Sequence, residues 1–455
     1  MRVLLLNPPG ERMYIRDYFC SKTTKSNYLF HPIDLVMLSG RLAERHETAV
    51  LDCMAERLAP RAAREKIDTL SPDAIVALVG SVSWDEDRRF LAAQAALGRR
   101  VLAIGDVLQE DSEARLAEEP WLEAALHDFS SEDALHCLEG RAAEVQDATV
   151  RDAGAIRRAR QRSRGPWLTP RPRHELFPAR GYRFSFARSR RFATVLSEYG
   201  CPYPCTFCVI GTLGFRSRPI GGVLEEIDHL RARGIRELFL ADQTFGLREE
   251  RGIELCDALA SRDLSWTTFT RPDTASDALL SAMRRAGCHT VILGVESADD
   301  EQLARYRKGY TSAEVRDAVR RAKRHGLRTV GTFIVGLPED DRETLERTLG
   351  FAIELDLDFM SLNMAVPRFS TPFRARAVEL GIADPRELVM DQGGAQAFLP
   401  TRSFDRAAML SLKKRMVRRF YLRPGYLWRR ARSVSGLREL RSQAREGLAL
   451  LLRNV

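Results

Sequence analysis

Apolar runs of five to seven residues recur along the first 140 positions: 3–9 (VLLLNPP), 49–53 (AVLDC), 74–80 (AIVALVG) and 100–106 (RVLAIGD). Each is short and ends in turn or charged residues, the pattern of a strand buried on both faces. Stretches with helical spacing, such as 32–45, separate them. Strands alternating with helices predict an α/β fold, here a doubly wound, Rossmann-like parallel sheet. A ligand of such a sheet meets the loops at the carboxyl ends of the strands, here after Leu6, Leu51, Val79 and Ile104. From about 140 to 191 the periodicity gives way to Arg, Pro and Gly (RRARQRSRGPWLTPRPRHELFP), which predicts an extended linker.

A second alternation begins beyond it. Strands are expected at 194–197, 236–242, 267–271, 290–296, 328–336 and 358–366, with helices at 220–233, 250–261, 311–325 and 341–355. Six strand–helix units are too few for a closed eight-fold barrel and predict an open, partial (β/α)6 one. The expected organisation is 1–140 doubly wound domain, 141–191 basic linker, 192–400 partial barrel and 401–455 basic helical region. Polar residues gather where the barrel strands end: Asp242 with Gln243, Arg271, Glu296 with Ser297, and the turn 367–371.

A length of 455 residues suits two or three domains, and 44% hydrophobic with 29% charged residues is a globular composition. The net charge of +9 is uneven: residues 401–455 hold 15 basic and 3 acidic groups, and residues 151–191 hold 13 and 2. Basicity confined to a linker and a tail argues against a general nucleic-acid surface and for contact with something anionic, such as phospholipid headgroups. No apolar run is long enough to span a membrane, and the opening run is too short for a secretory signal. The expected location is therefore cytoplasmic, or peripheral at the inner face of a membrane.

In the tail, Met409, Leu410, Leu412, Met416, Val417, Phe420 and Tyr421 alternate with Lys and Arg. Leu437, Leu440, Leu448 and Leu451 repeat the pattern later. Two readings stand: helices packed on the barrel with a solvated basic face, or an interfacial pair that brings the site to a membrane-dissolved substrate.

Of eight cysteines, Cys20, Cys53, Cys137, Cys256 and Cys288 are scattered singly and read as small buried hydrophobes. Cys201, Cys205 and Cys208 form C-x3-C-x2-C in YGCPYPCTFCVIG, directly after the first barrel strand. A structural zinc site needs a fourth Cys or His, and none follows within about 20 residues. A cubane [4Fe-4S] cluster held by three cysteines keeps one iron open. That iron can be chelated by the amino and carboxylate groups of a small molecule such as S-adenosylmethionine.

This triad, with Phe207 just before its last cysteine and a partial barrel following, resembles the radical S-adenosylmethionine superfamily. AGCHTVILGVESADDEQLARYRKGYTSAEV and GTFIVGLPEDDRETLERTLGFA resemble the middle and late barrel of its branch with an N-terminal cobalamin-binding-type domain. The resemblance covers roughly residues 1–425. It implies a [4Fe-4S] cluster on the three cysteines, S-adenosylmethionine, and cobalamin. It implies further that Asp242 and Gln243 face the methionyl amine, although relatives often have an acid at Gln243. Glu296 and Ser297 would face the ribose or methionine moiety, Gly336, Leu337 and Pro338 the adenine, and Arg271 a carboxylate. The plain alternative for each is a strand-end or helix-cap residue.

The N-terminal part departs from its relatives. HPIDLVMLSGRLAE fits the helix after the first strand, but no D-x-H-x-x-G is present to give cobalt a lower His ligand. Gly105-Asp106-Val107 stands where relatives have a Gly-Gly pair that lets the backbone approach the nucleotide tail. Ser130-Ser131-Glu132 replaces an acid–glycine stretch. His31, His46, His127 and His136 are expected on the surface or at caps.

Three functions follow. The first is cobalamin-dependent radical methylation of an unactivated carbon in a hydrophobic or natural-product substrate. The second is cobalamin-independent hydrogen abstraction with coupling, cyclisation or oxidation, on a lipid or tetrapyrrole type of substrate. The third is a non-catalytic iron–sulfur protein. The enzymatic readings imply a small-molecule or lipid substrate and an external low-potential donor of the flavodoxin or ferredoxin type, and no nucleic acid.

Overall fold

The computed structural model describes residues 1–17, 22–23, 28–161, 167–388, 390–391, 399–433 and 447. Seven strands form the first sheet: β1 (Arg2–Asn7), β2 (Glu47–Asp52), β3 (Ala74–Leu78), β4 (Arg100–Ile104), β5 (Ala124–Leu126), β6 (Ala148–Asp152) and β7 (Ala155–Arg158). Their order is β2-β1-β3-β4-β5-β6-β7, the first five parallel and the last two antiparallel. Every residue of β3 is buried, as are five of the six in β1, which is why these strands read as unbroken apolar runs. Gly105, at the end of β4, cannot be another residue. Its φ is +156°, and a Cβ there would stand 1.8 Å from the Val79 carbonyl oxygen.

The second sheet is the open barrel: β8 (Phe192–Val195), β9 (Glu237–Leu240), β10 (Ser265–Thr270), β11 (Cys288–Glu296), β12 (Arg328–Val335) and β13 (Phe359–Met364), all parallel and in chain order. Helix α1 (Ile33–Leu42) is buried along all ten residues. It lies in a core that also takes Val3 and Leu5 from the first sheet and Phe192, Tyr199 and Phe239 from the barrel. The two sheets thus share one apolar interior.

Two expectations change. The first sheet does not stop at residue 140, because β6 and β7 extend it to Arg158. The stretch beyond is no loose linker either: Trp167, Phe177 and Tyr182 are buried in the shared core, with Trp167 against Phe129 and Tyr199. The histidines differ as well. His31, His127 and His136 are buried, and His46 is half-buried. His31 stacks on Tyr182 at 3.9 Å, and burial holds its pKa well below the usual imidazole value.

Helix α2 (Arg406–Tyr421) turns Met409, Leu412, Met416, Val417 and Phe420 into the barrel core. Its apolar stripe is spent on the barrel rather than presented to lipid. Helix α3 (Pro424–Ser433) follows, with Leu427 and Trp428 exposed. The later leucines of the tail, 437 to 451, lie outside the described residues, as does Cys20. Cys53, Cys137, Cys256 and Cys288 are buried as expected. Among the described residues, no helix is long and apolar enough to cross a membrane.

Candidate active site at the carboxyl ends of the two sheets

The three cysteines occupy the tip of a hairpin. After β8, residues Glu198–Gly200 pair antiparallel with Phe215–Ser217, and the chain between them carries the triad. Gly200 makes the neck possible: its φ is +78°, and a Cβ there would meet the Gly214 carbonyl oxygen at 1.8 Å. The Cys201 amide donates to that same oxygen at 2.9 Å. Later elements hold the tip, since Thr206 N donates to Tyr306 O at 3.1 Å and Phe373 N to Thr206 O at 3.1 Å. Phe207 packs near Tyr306, which in turn meets Phe373 edge-on.

Cys205 is buried, while Cys201 and Cys208 are half-buried. Burial pushes the Cys208 thiol up to about 11 and raises Cys201, so metal would have to draw off their protons. Among the described residues no three His, Cys, Asp or Glu side chains form a group able to hold a metal ion. The fold gathers the thiols into one loop without closing them on a centre. Three soft donors beside fixed cations suit an iron–sulfur cluster, whose thiolate-ligated core is anionic.

Those cations come from the segments that follow two barrel strands, β10 and β11. Arg271, just past β10, lies over the Tyr203 ring at 3.4 Å and donates to Cys205 Sγ at 3.8 Å. Its other nitrogens reach Asp273 (2.9 and 2.8 Å) and Lys308 O (2.6 Å). Burial opposes its charge, yet Asp273 holds its pKa above the ordinary value. Lys308 is buried too, its Nζ donating to Glu296 Oε1 at 3.1 Å and standing 5.5 Å from the Phe207 ring centre. Burial pulls this lysine down, but Glu296, Tyr310 and Cys205 together keep it charged. Glu296 sits at φ +65°, left-handed for a non-glycine residue at a strand end, where strain goes with function. Lys308, Tyr203 and Tyr310 escaped the sequence reading, although Tyr203 lies inside the cysteine motif.

The other expected ligand residues are engaged within the protein. Asp242 is fully buried and accepts from Ser197 N at 2.6 Å, from Glu198 N at 3.0 Å and from the Ser197 hydroxyl. Its carboxylate ties down the neck of the cysteine hairpin. Gln243 turns its amide to Ala241 O at 3.1 Å. Ser297 is buried and caps the next turn through Asp299 N at 3.1 Å. The Gly336 and Leu337 amides both go to Asp340, at 2.7 and 3.0 Å, and Pro338 O accepts from Arg402 N at 2.8 Å. Of the expected set, Phe207, Arg271 and Glu296 stand with the cysteines.

Strand ends of the first sheet face this hairpin. Arg216, on its returning strand, pairs with Asp128 at 2.5 Å in the loop after β5. Arg374, after the last barrel strand, pairs with Glu110 at 3.1 Å in the loop after β4, and Ser370 N donates to Glu110 at 2.8 Å. A ligand on the carboxyl edge of the first sheet would therefore confront the cysteine loop. Gln109 lies at this junction, its amide nitrogen buried with no partner among the described residues. Such an amide suits the amide-fringed rim of a corrinoid.

Residues 197–352 match the Radical SAM superfamily. The chain is 29% identical over 450 residues to an uncharacterized methyltransferase of Pyrococcus horikoshii, covering 94% of each. Its fold is similar to that of OxsB, a cobalamin-dependent S-adenosylmethionine radical enzyme solved with aqua-cobalamin and S-adenosylmethionine. There the TM-score is 0.69 at 16% identity, over 99% of this chain and 72% of the other. It is also similar to TsrM of Kitasatospora setae, a radical S-adenosylmethionine methyltransferase solved with cobalamin and a [4Fe-4S] cluster (TM-score 0.65, 20% identity, 83% and 75% covered).

Proposed function

Because the chain belongs to the radical S-adenosylmethionine superfamily, we propose that it is a cobalamin-dependent C-methyltransferase acting on an unactivated carbon of a hydrophobic or natural-product substrate. The observation that carries this reading is the placement of the cysteine hairpin against the carboxyl edge of the first sheet, through Asp128–Arg216 and Glu110–Arg374. The methyltransferase name of the relative from Pyrococcus horikoshii supports it.

When bound, the cluster would supply the electron that cleaves S-adenosylmethionine, and cobalamin the methyl group. Cys201, Cys205 and Cys208 would hold the cluster. Arg271, clamped between Asp273 and the Tyr203 ring, keeps a fixed positive charge at Cys205. Lys308, neutralised in part by Glu296, keeps a second one beside Phe207. Both stabilise anionic sulfur without moving when charge changes. Phe207, Tyr306 and Phe373 pack as an aromatic cluster beside the loop. The Gln109 amide would meet the rim of the corrinoid. An external low-potential donor of the flavodoxin or ferredoxin type would reduce the cluster. Any contact with a membrane surface would rest on Leu427 and Trp428, exposed on the basic helix α3.

A second reading keeps the radical chemistry without cobalamin and ends in coupling, cyclisation or oxidation. Asp106 favours it: standing where relatives have glycine, its carboxylate takes Ser81 N at 2.8 Å and Ser81 Oγ at 2.7 Å. Anaerobically reconstituted protein, given S-adenosylmethionine with a deuterated methyl group and a strong reductant, separates the readings. Formation of 5'-deoxyadenosine with the label on product supports methyl transfer, and 5'-deoxyadenosine without it supports the second reading. Absence of 5'-deoxyadenosine with an intact cluster overturns both. Cys205→Ala is expected to lose the iron and the cleavage together.

A further inference from the structure

In a doubly wound sheet the nucleotide end of a ligand enters where the strand order reverses, its phosphate at a helix N-terminus. Here the reversal lies at β1, with β2 on one side and β3 on the other. That crevice is already filled. The loop after β1 turns back over the strand ends and drives Arg16 into it, the side chain having no exposed surface. Its Nη1 donates to Asn7 Oδ1 at 2.9 Å and Pro8 O at 3.0 Å, and its Nε to Ser83 Oγ at 2.8 Å. Nε and Nη2 grip Asp87 as a fork, at 3.0 and 2.8 Å, and Nη2 also reaches Pro9 O at 3.4 Å.

Asp87 belongs to the first turn of the helix after β3, Trp84–Ala95, which also carries Asp85 and Glu86. Glu86 is bonded to the same loop, accepting from Tyr14 Oη at 2.6 Å and Glu11 N at 2.8 Å. The helix end that would receive a phosphate thus presents carboxylates, and like charge repels it. Displacing Arg16 would leave the Asp87 carboxylate buried without its cation, the costly way to break such a pair. In the neighbouring crevice, between β3 and β4, the amide and hydroxyl of Ser81 are spent on Asp106.

We infer that this chain holds its corrinoid by the ring alone, the Arg16–Asp87 pair latching the first sheet against the nucleotide tail. The inference rests on the cobalamin reading above. Full-length protein with its cluster reconstituted is titrated with hydroxocobalamin and with aquocobinamide, which has the ring but no nucleotide tail, and binding is read from the corrinoid absorption. The two affinities are expected to agree within about threefold. A preference for cobalamin of about a hundredfold or more overturns the inference and leaves the cobalamin reading standing. Binding of neither corrinoid overturns both. In the paired variant Arg16→Met, Asp87→Leu, which removes both charges at once, cobalamin is expected to gain about tenfold over cobinamide. An unchanged ratio in that variant, with iron content and circular dichroism as in the parent, counts against the latch. If the variant does not fold, the comparison on the unaltered protein decides.

Discussion

Asp242→Ala tests whether this carboxylate serves the ligand or the hairpin. The substitution removes the acceptor of two backbone amides, Ser197 N at 2.6 Å and Glu198 N at 3.0 Å, and of the Ser197 hydroxyl, at a fully buried position. The hydroxyl can rotate toward another acceptor, but the amides cannot, and a buried donor left unpaired costs about 1–3 kcal/mol. The two together come to about 2–6 kcal/mol. Part of that is returned, because burial holds Asp242 above the usual carboxylate range and its charge opposes that of Glu198. A net loss of about 2–4 kcal/mol is expected, with Asp242→Asn losing about half as much because it keeps one acceptor oxygen.

The loss should be local, at the neck of the cysteine hairpin. Hydrogen exchange is expected to speed up at Ser197 and Glu198, and iron should leave faster under chelator challenge. S-Adenosylmethionine affinity should fall only in step with the iron. The reasoning is refuted if Asp242→Ala keeps its iron, its amide protection and its urea midpoint while S-adenosylmethionine binding alone weakens more than about tenfold. That pattern would make Asp242 a ligand group.

Glu198 is pushed up to about 7 from an ordinary 4.5, by burial first and then by Asp242. The folded state therefore holds its proton where the unfolded chain has lost it, and stability falls between about pH 4.5 and 7 and is flat above. Glu198→Gln abolishes this, so its stability relative to the parent should rise from pH 5 to 7.5 by up to about 3 kcal/mol, read by urea unfolding at both pH values. Parallel pH profiles would exclude the shift. Gly105→Ala sets a Cβ 1.8 Å from the Val79 carbonyl oxygen and is expected to cost about 3 kcal/mol or more, or to prevent soluble expression. A melting temperature within about 1 °C of the parent would show that β3 yields freely. Truncation before Arg406 strips Met409, Leu412, Met416, Val417 and Phe420 from the barrel core, each contributing about 1.5–3 kcal/mol by burial. The shortened chain is expected to aggregate, and a monomeric one with an unchanged melting temperature would place α2 outside the core.

Local pattern was enough for β1, β3 and β4, because a strand buried on both faces shows as an unbroken apolar run whatever surrounds it. Cys201, Cys205 and Cys208 share one loop, as their spacing requires in any fold. Pattern failed for β6 and β7, where Arg151, Asp152, Arg157 and Arg158 give a sheet edge the look of a linker. It did not separate the acids at the strand ends. Asp242 and Glu296 look alike in sequence, each closing an apolar run. One is claimed by the amides of Ser197 and Glu198, 45 and 44 residues away, and the other by Lys308. Arg16 gave no signal at all, since its partner Asp87 lies 71 residues on. Apolar periodicity is set by each residue's own burial and can be read along the chain. Whether a charge faces a ligand or another part of the protein depends on which distant segment arrives beside it, and only the folded chain decides that.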